Sequence, residues 1–205
     1  MNYLFFEDNV YPLYTGNTYQ MGSTVASNIY LPSLENITLE VKETEIRLLG
    51  KTYAHGNHLV SIDDKINISL LVIENTEYYL LPEKILYLSD KKEASIRLVD
   101  FPTEIILTFD GTNKTIYSAS PYYVNGERKT GKQDIQDMDQ IVFEQGVALS
   151  IQKQILSIHS LFSIETSLLP FSEVMVEDRS KEFHRSPRII LREPEDKVTI
   201  ASAPT

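Results

Sequence analysis

Val124-Asn125-Gly126 constrains the fold of this chain more than any other three residues. Tyr122-Tyr123-Val124 is a β-prone apolar run, and the Asn-Gly dipeptide after it tolerates the positive φ that a tight turn demands. A polar stretch leads on to Ile135. An acidic turn, Asp137-Met138-Asp139, then feeds a second apolar run, Ile141-Val142-Phe143. Residues 122–143 thus read as two strands joined by a loop, with a turn setting the second strand against a core. A thinner version stands earlier, where Gly56-Asn57 precedes Ser61-Ile-Asp-Asp-Lys-Ile-Asn-Ile68. Finding the pattern twice points to two copies of one small β domain.

The rest of the chain agrees. Residues 3–6, 18–22, 28–31, 37–41 and 45–49 are short runs, several alternating apolar and polar side chains as half-buried strands do. Residues 66–73 form a longer β-branched run that reads as bending or folding back on itself. Further runs follow at 78–81, 85–88, 95–98, 104–109, 115–118, 122–124, 139–143, 147–152 and 155–160. No convincing amphipathic helix interrupts them, although 163–176 has room for a short one. Many short strands at close turn spacing predict an all-β chain of antiparallel sandwiches.

Duplication can be tested by register. Ile29-Tyr-Leu31 and Ile96-Arg-Leu98 share Ile-x-Leu at an offset of 96 − 29 = 67. Residues 36–41 and 104–109 share Ile and Leu at 104 − 36 = 68, and Asp64-Lys-Ile66 matches Asp139-Gln-Ile141 at 139 − 64 = 75. An offset that drifts in one direction is what loop insertions in a duplicated domain produce. The expected organisation is a first sandwich over 1–77, a second over 78–177, and a linker or tail over 178–205.

Charge and composition remove whole classes of function. A net charge of −10, with no Lys/Arg stripe along the body, argues against nucleic acid or anionic membrane as the main ligand of that body. With no cysteine, disulfides, thiolate zinc sites and cysteine catalysis are excluded, which fits a cytosolic domain. Met1-Asn-Tyr-Leu-Phe-Phe lacks the basic start of a signal peptide, and no segment approaches the ~20 apolar residues that span a bilayer. After Ile190 the sequence thins into Glu-Pro-Glu-Asp-Lys and Ala-Ser-Ala-Pro-Thr, a composition suited to a linker, so the chain reads as a piece of something longer.

Three motifs imitate chemistry. Gly126-Glu-Arg-Lys-Thr-Gly131-Lys132-Gln133 falls one residue short of a phosphate-binding loop, since Gln133 stands where a magnesium-ligating hydroxyl belongs. It also leads into a strand, with no helix N-terminus to hold phosphate, so it reads as a hairpin loop. His55 and His58 are spaced like a metal pair but lack further ligands nearby, which leaves an exposed loop. Asp137 and Asp139 imitate an acid/base pair, yet acidic residues are common in tight turns. No catalytic residue, cofactor site or metal site emerges.

The order Ile-x-Leu, sheet strand, Val-Asn-Gly, loop, Asp-x-Ile resembles forkhead-associated (FHA) domains, eleven-stranded sandwiches that usually bind phosphothreonine peptides. Phe183-His-Arg-Ser-Pro-Arg-Ile-Ile190, continuing to Arg192-Glu-Pro194, is similar to the segment after the tandem FHA pair of EssC/YukB-type proteins. Those are membrane-anchored, FtsK/SpoIIIE-like ATPases of the type VII secretion system in Firmicutes. The resemblance implies a cytosolic amino-terminal region at the inner face of the membrane, with the transmembrane and ATP-binding parts elsewhere. It implies protein partners from the secretion machinery.

The resemblance does not bring phosphothreonine binding with it. An FHA site needs an Arg after the Gly of an early strand, then Ser and His in the next loops, then an Asn before Gly. Here Ser23 follows Met21-Gly22, Asp90 follows Leu88-Ser89, and no Ser-x-x-His occurs in 32–36 or 100–104. Only Asn125-Gly126 survives. The favoured reading is a docking module without a phosphate pocket; the alternatives are a phosphopeptide reader using Arg97, Arg128 and Lys129, or a spacer regulating ATPase assembly. The loop end of the second sandwich, with Phe101, Tyr122, Tyr123 and Asn125, is the expected partner-binding surface. Adjacent strand residues face opposite ways, so one of Tyr122 and Tyr123 is expected to be exposed. Arg185, Arg188 and Arg192 are candidate tail contacts, either on the second sandwich or near the anionic inner leaflet.

Overall fold

The computed structural model describes residues 1–82, 84–168 and 170. It divides into two compact units, Met1–Glu74 and Asn75–Thr205. Every helix or strand assigned among the described residues is a strand, so the chain is all-β. The short helix considered for 163–176 is replaced at its start by a strand, and residues 171–176 lie outside those described.

The first unit has two sheets. Strands β1 (Asn2–Phe6), β2 (Asn9–Leu13), β8 (Gly56–Ile62) and β9 (Ile66–Val72) form one, in the order β2-β1-β9-β8. Strands β3 (Thr18–Gly22), β4 (Ile29–Tyr30), β5 (Ile37–Val41), β6 (Ile46–Leu48) and β7 (Lys51–Tyr53) form the other, in the order β4-β3-β5-β6-β7. Leu4, Met21, Leu39, Ile46, Ile68 and Leu70 are buried in the core. Alternation explains why: in β5, Leu39 and Val41 are buried while Thr38 is exposed and Glu40 half-buried. Residues 66–72 do not fold back. They form one strand because β1 pairs along one edge of it and β8 along the other.

The second unit contains β10 (Thr76–Leu80), β11 (Ile85–Ser89), β12 (Ile96–Leu98), β13 (Ile105–Asp110) and β14 (Asn113–Val124). It continues with β15 (Glu127–Ile135), β16 (Ile141–Phe143), β17 (Val147–Gln152), β18 (Ile155–Ser160) and β19 (Ile164–Thr166). Hydrogen bonding runs β10-β18-β17-β16-β14-β13-β11-β12-β19, with β15 beside β14. The pairing of β14 with β15 is interrupted by a register shift. Lys114 to Ser118 pair with Ile135 to Gly131, the register then shifts, and Tyr122 to Val124 pair with Lys129 to Glu127 and, at Tyr123 and Val124, with β16. A bulge of this kind bends a strand pair and increases its local twist. Gly131, at φ +74°, sits opposite the shift and takes a left-handed conformation that a Cβ would strain. Asn125 (φ +51°) and Gly126 (φ +89°) close the hairpin as the sequence predicted.

The same pairing occurs in both units. In each, a strand takes a short parallel neighbour and an antiparallel one: Met21 pairs with Ile29 and Ile37, Leu88 with Ile96 and Ile105. These give 96 − 29 = 67 and 105 − 37 = 68, the offsets read from the sequence. Ser33 and Asp100, again 67 apart, both have positive φ. The third match is corrected. The counterpart of β9, paired with the first strand of its unit and with a hairpin partner, is β18 and not β16. The hairpin closures Ile62–Ile66 and Gln152–Ile155 set the offset at 155 − 66 = 89. The smaller first unit has no counterpart, among the described residues, of the long β14–β15 pair.

Candidate functional site

The loops after β11 and β12 occupy the position where an FHA phosphate site would lie. Asp90 follows Ser89 and is already engaged. Its carboxylate accepts the Asp100 backbone N–H at 3.0 Å and the Arg97 Nη2 at 3.1 Å, while its carbonyl accepts Arg97 Nε at 2.7 Å. Arg97 Nη1 donates to Glu165 Oε1 at 3.0 Å. Those bonds, the Asp100 amide foremost, hold the Asp90 carboxyl below its ordinary range. One guanidinium therefore serves two carboxylates, one on a loop and one on β19. Lys91 is likewise committed, 3.1 Å from Glu104, and its backbone N–H donates to Ser89 Oγ at 3.0 Å. A phosphate arriving here would meet two carboxylates and would have to displace both to reach Arg97.

A neutral hydroxyl cluster lies deeper. Ser120 Oγ donates to Thr103 Oγ1 at 2.7 Å, and the Ser120 N–H donates to the buried Ser118 Oγ at 3.3 Å. The first unit repeats this chemistry without any charge. Ser23 donates from its N–H and its hydroxyl to the Leu34 carbonyl, both at 3.1 Å. Thr24 and Ser27 donate to Asn36 Oδ1 at 3.3 and 3.2 Å. Gly22 is required there because a Cβ would lie 2.5 Å from Asn36 Oδ1. At this end both units hold their loops with hydroxyl and amide bonds internal to the chain.

The aromatic residues expected at the surface are in the interior, which corrects that expectation. Phe101 is 3% exposed and packs edge-on to Phe143 and Phe162, with ring centres 6.0 and 5.3 Å away. Tyr122 is fully buried and stacked on Phe143 at 5.3 Å, and its hydroxyl donates to the Gly131 carbonyl at 2.7 Å. Burial pushes that phenol up to about 12. Tyr123 faces the opposite side, as alternation requires, yet it too is only 3% exposed. It stands in a cross-strand row with Val142, Ala148 and His159, all of them buried. Alternation fixes which face a residue takes; it does not say that the outer face is wet. Asn125 is exposed, but its side chain is used locally. Its Nδ2 donates to Asp139 Oδ1 at 2.9 Å and its Oδ1 accepts the Gln140 N–H at 2.9 Å. Arg185, Arg188 and Arg192 lie outside the described residues.

The remaining motifs have structural roles. Residues 127–133 belong to β15, not to a loop, so the imitation phosphate loop is a strand edge. Asp137 accepts the Lys153 N–H at 3.0 Å and pairs with Lys114 at 3.0 Å, and Asp139 accepts the Gln136 N–H at 2.8 Å. His58 lies in strand β8 rather than in the expected loop and hydrogen-bonds the Ala54 carbonyl at 2.7 Å, while His55 accepts the Glu74 N–H at 3.0 Å. Among the described residues no group of three or more His, Cys, Asp or Glu is placed to hold a metal, and no helix is long and apolar enough to cross a membrane. Sequence reasoning missed the Asp90–Arg97–Glu165 cluster. Its only local signal was Arg97 alternating outward between two buried residues in Ile-Arg-Leu.

No protein-family description matches the chain, and no curated protein does. Among solved structures, the chain is similar to the "N-terminal FHA domain from EssC a component of the bacterial Type VII secretion apparatus". The TM-score is 0.61 at 14% sequence identity, over 83% of this chain and 97% of that one. Likeness of fold at so low an identity speaks for architecture alone. The chain has an FHA-like β-sandwich fold.

Proposed function

We propose that this chain is a non-enzymatic, tandem FHA-type interaction module of a type VII secretion ATPase, held at the cytoplasmic face of the membrane. In this reading residues 1–77 and 78–177 are the two modules. Residues 178–205, with Arg185, Arg188 and Arg192, lead toward the membrane. It recruits or positions other proteins of the secretion machinery and does not read phosphothreonine. The fold likeness to the EssC domain and the sequence of the 183–194 segment support the setting.

One observation carries the exclusion of phosphothreonine. The position where an FHA domain presents a cation holds Asp90, and that carboxylate is tied to Arg97 and to the Asp100 amide. Charge-assisted bonds to a phosphate need a donor that is not already satisfied. The test has two arms. Titration with phosphothreonine peptides up to about 1 mM, a threshold near −4 kcal/mol of binding, is expected to show no saturation. Affinity purification of the full-length membrane protein is expected to bring type VII components with it, and to lose them when residues 1–177 are deleted. Saturable phosphothreonine binding that disappears in Arg97→Ala refutes the first arm; recovery of the same components without residues 1–177 refutes the second.

A further inference from the structure

The first strand of each unit differs in what lies beside it. In the first unit β9 pairs along one edge of β1 and β2 along the other. Its counterpart β10 pairs with β18 along one edge. Among the described residues no strand lies along the other edge, and the residue bridged to it is Pro170, antiparallel and opposite Tyr79. An open edge displays unpaired N–H and C=O groups and is a template for a further strand. The second unit thus begins a contact that the first unit completes.

The bridge fixes a register. Counted outward from it in the antiparallel sense, Leu169 stands opposite Leu80, Phe171 opposite Tyr78, Ser172 opposite Glu77 and Glu173 opposite Thr76. That register matches chemistry as well as direction. Leu80 is 46% exposed although its partner on the other side, Ile155, is buried. Tyr78 is half-buried and shares a face with Leu80. These two apolar positions face Leu169 and Phe171, while Glu77 and Thr76 face polar residues. A slip by one residue sets Phe171 against Glu77 in one direction and Glu173 against Glu77 in the other, and both pairings are unfavourable.

We propose that residues 169–173 of this chain form an edge strand antiparallel to β10, taking on β10 the place that β2 has on β1. The occupant is the chain itself because Pro170 already stands on the edge. Residues joined to Pro170 reach β10 without the loss of translational freedom that a separate peptide has to offset from its binding energy. Proline is no obstacle, since edge strands tolerate it and β2 carries Pro12 opposite Tyr3. The added strand closes the β10 edge to strand addition by other proteins. It also sends residues 174–205 away from the Thr76 end of β10, so the tail is tied to the second sandwich before it leads elsewhere.

The chain has no cysteine, so introduced pairs report the register cleanly. Directly opposed residues of antiparallel strands have Cα atoms about 4.5–5.5 Å apart, a span that a disulfide bridges. Opposed pairs alternate between the wider, hydrogen-bonded kind and the closer kind, so two adjacent pairs are tested in the full chain. These are Glu77→Cys with Ser172→Cys, and Tyr78→Cys with Phe171→Cys. Under mild oxidation at least one should lose its free thiols, within the monomer, at least about tenfold faster than the out-of-register pair Glu77→Cys with Phe171→Cys. Circular dichroism should show the fold unchanged. In the unmodified chain, hydrogen exchange should find at least one protected amide within 171–173. Four results each overturn the proposal: neither pair closing, the out-of-register pair closing as fast, the link forming between two copies, or all three amides exchanging at the free-chain rate. None of these readouts involves phosphothreonine or secretion components, so the edge strand and the proposed function fail separately.

Discussion

Tyr122 is the first residue of β14 to pair with β15 after the register shift, and its removal has a calculable cost. The ring is fully buried against Phe143, and the hydroxyl satisfies the carbonyl of Gly131, the residue opposite the register shift. In Tyr122→Phe the ring stays and the Gly131 carbonyl loses its donor. A lost hydrogen bond that leaves a buried acceptor unsatisfied costs about 1–3 kcal/mol. In Tyr122→Ala the ring's space is vacated as well, and large-to-small aromatic substitutions in a core cost about 3–5 kcal/mol. At roughly 4–8 °C per kcal/mol for a unit of this size, Tyr122→Phe should lower the melting temperature by about 4–24 °C. Urea unfolding followed by circular dichroism measures the stability. Hydrogen exchange localises it, since protection should fall first in β14, β15 and β16. If Tyr122→Ala costs less than about 1 kcal/mol, a value typical of an exposed contact, the residue is not buried and the account of its packing at the register shift fails.

Two further outcomes follow from buried or strained positions. Burial holds His159 down to about 3, against an ordinary 6.5, with its Nδ1 hydrogen-bonded to the Thr76 hydroxyl at 2.6 Å. Below pH 6.5 the unfolded chain takes up a proton that the folded chain refuses, so stability should fall as pH drops from about 6.5 toward 3, by at most on the order of 5 kcal/mol; a urea midpoint flat across that window, or a slope unchanged in His159→Asn, refutes this. Gly146 has φ +128°, and a Cβ there would lie 2.7 Å from Leu161 Cδ1, so Gly146→Ala should destabilise by about 1–3 kcal/mol, and a melting temperature equal to wild type would show that the turn does not need glycine.

The strands that could be read from the sequence are those with a recognisable apolar pattern, either alternating as in β5 or continuous as in β18, which is buried along its whole length. Residues 18–22, 37–41, 147–152 and 155–160 have the boundaries expected from their side chains. The strands that were missed lack that signal for a physical reason. β15 reads Glu-Arg-Lys-Thr-Gly-Lys-Gln-Asp-Ile, almost wholly polar, because it is an edge whose partner β14 supplies the apolar side chains. β2 carries Pro12, which an edge strand tolerates and a central one does not. The false third match had the same root. Asp-x-Ile marks an entry into a strand without saying which strand follows, so only the pairing partners could decide that β9 corresponds to β18.

At the site, the sequence revealed what was missing but not what replaced it. Asp90 in the place of a phosphate-binding cation can be read from one position. Its consequence depends on Glu165, 68 residues from Arg97, and on an amide ten residues away at Asp100. The same limit explains the two tyrosines. Alternation correctly set Tyr122 and Tyr123 on opposite faces, and then solvent was assigned to one of those faces without any evidence from the chain that it was wet. Exposure is a property of what lies against a sheet, and period-2 patterning reports only its two sides. Once Phe101, Tyr122 and Tyr123 are assigned to the interior, the exposed aromatic among the residues of this sheet is Tyr117, in a row that begins at Tyr87 and ends at Lys132. The two units differ there in side chains alone: the outer face of β11 and β13 is apolar where the matching face of β3 and β5 is polar.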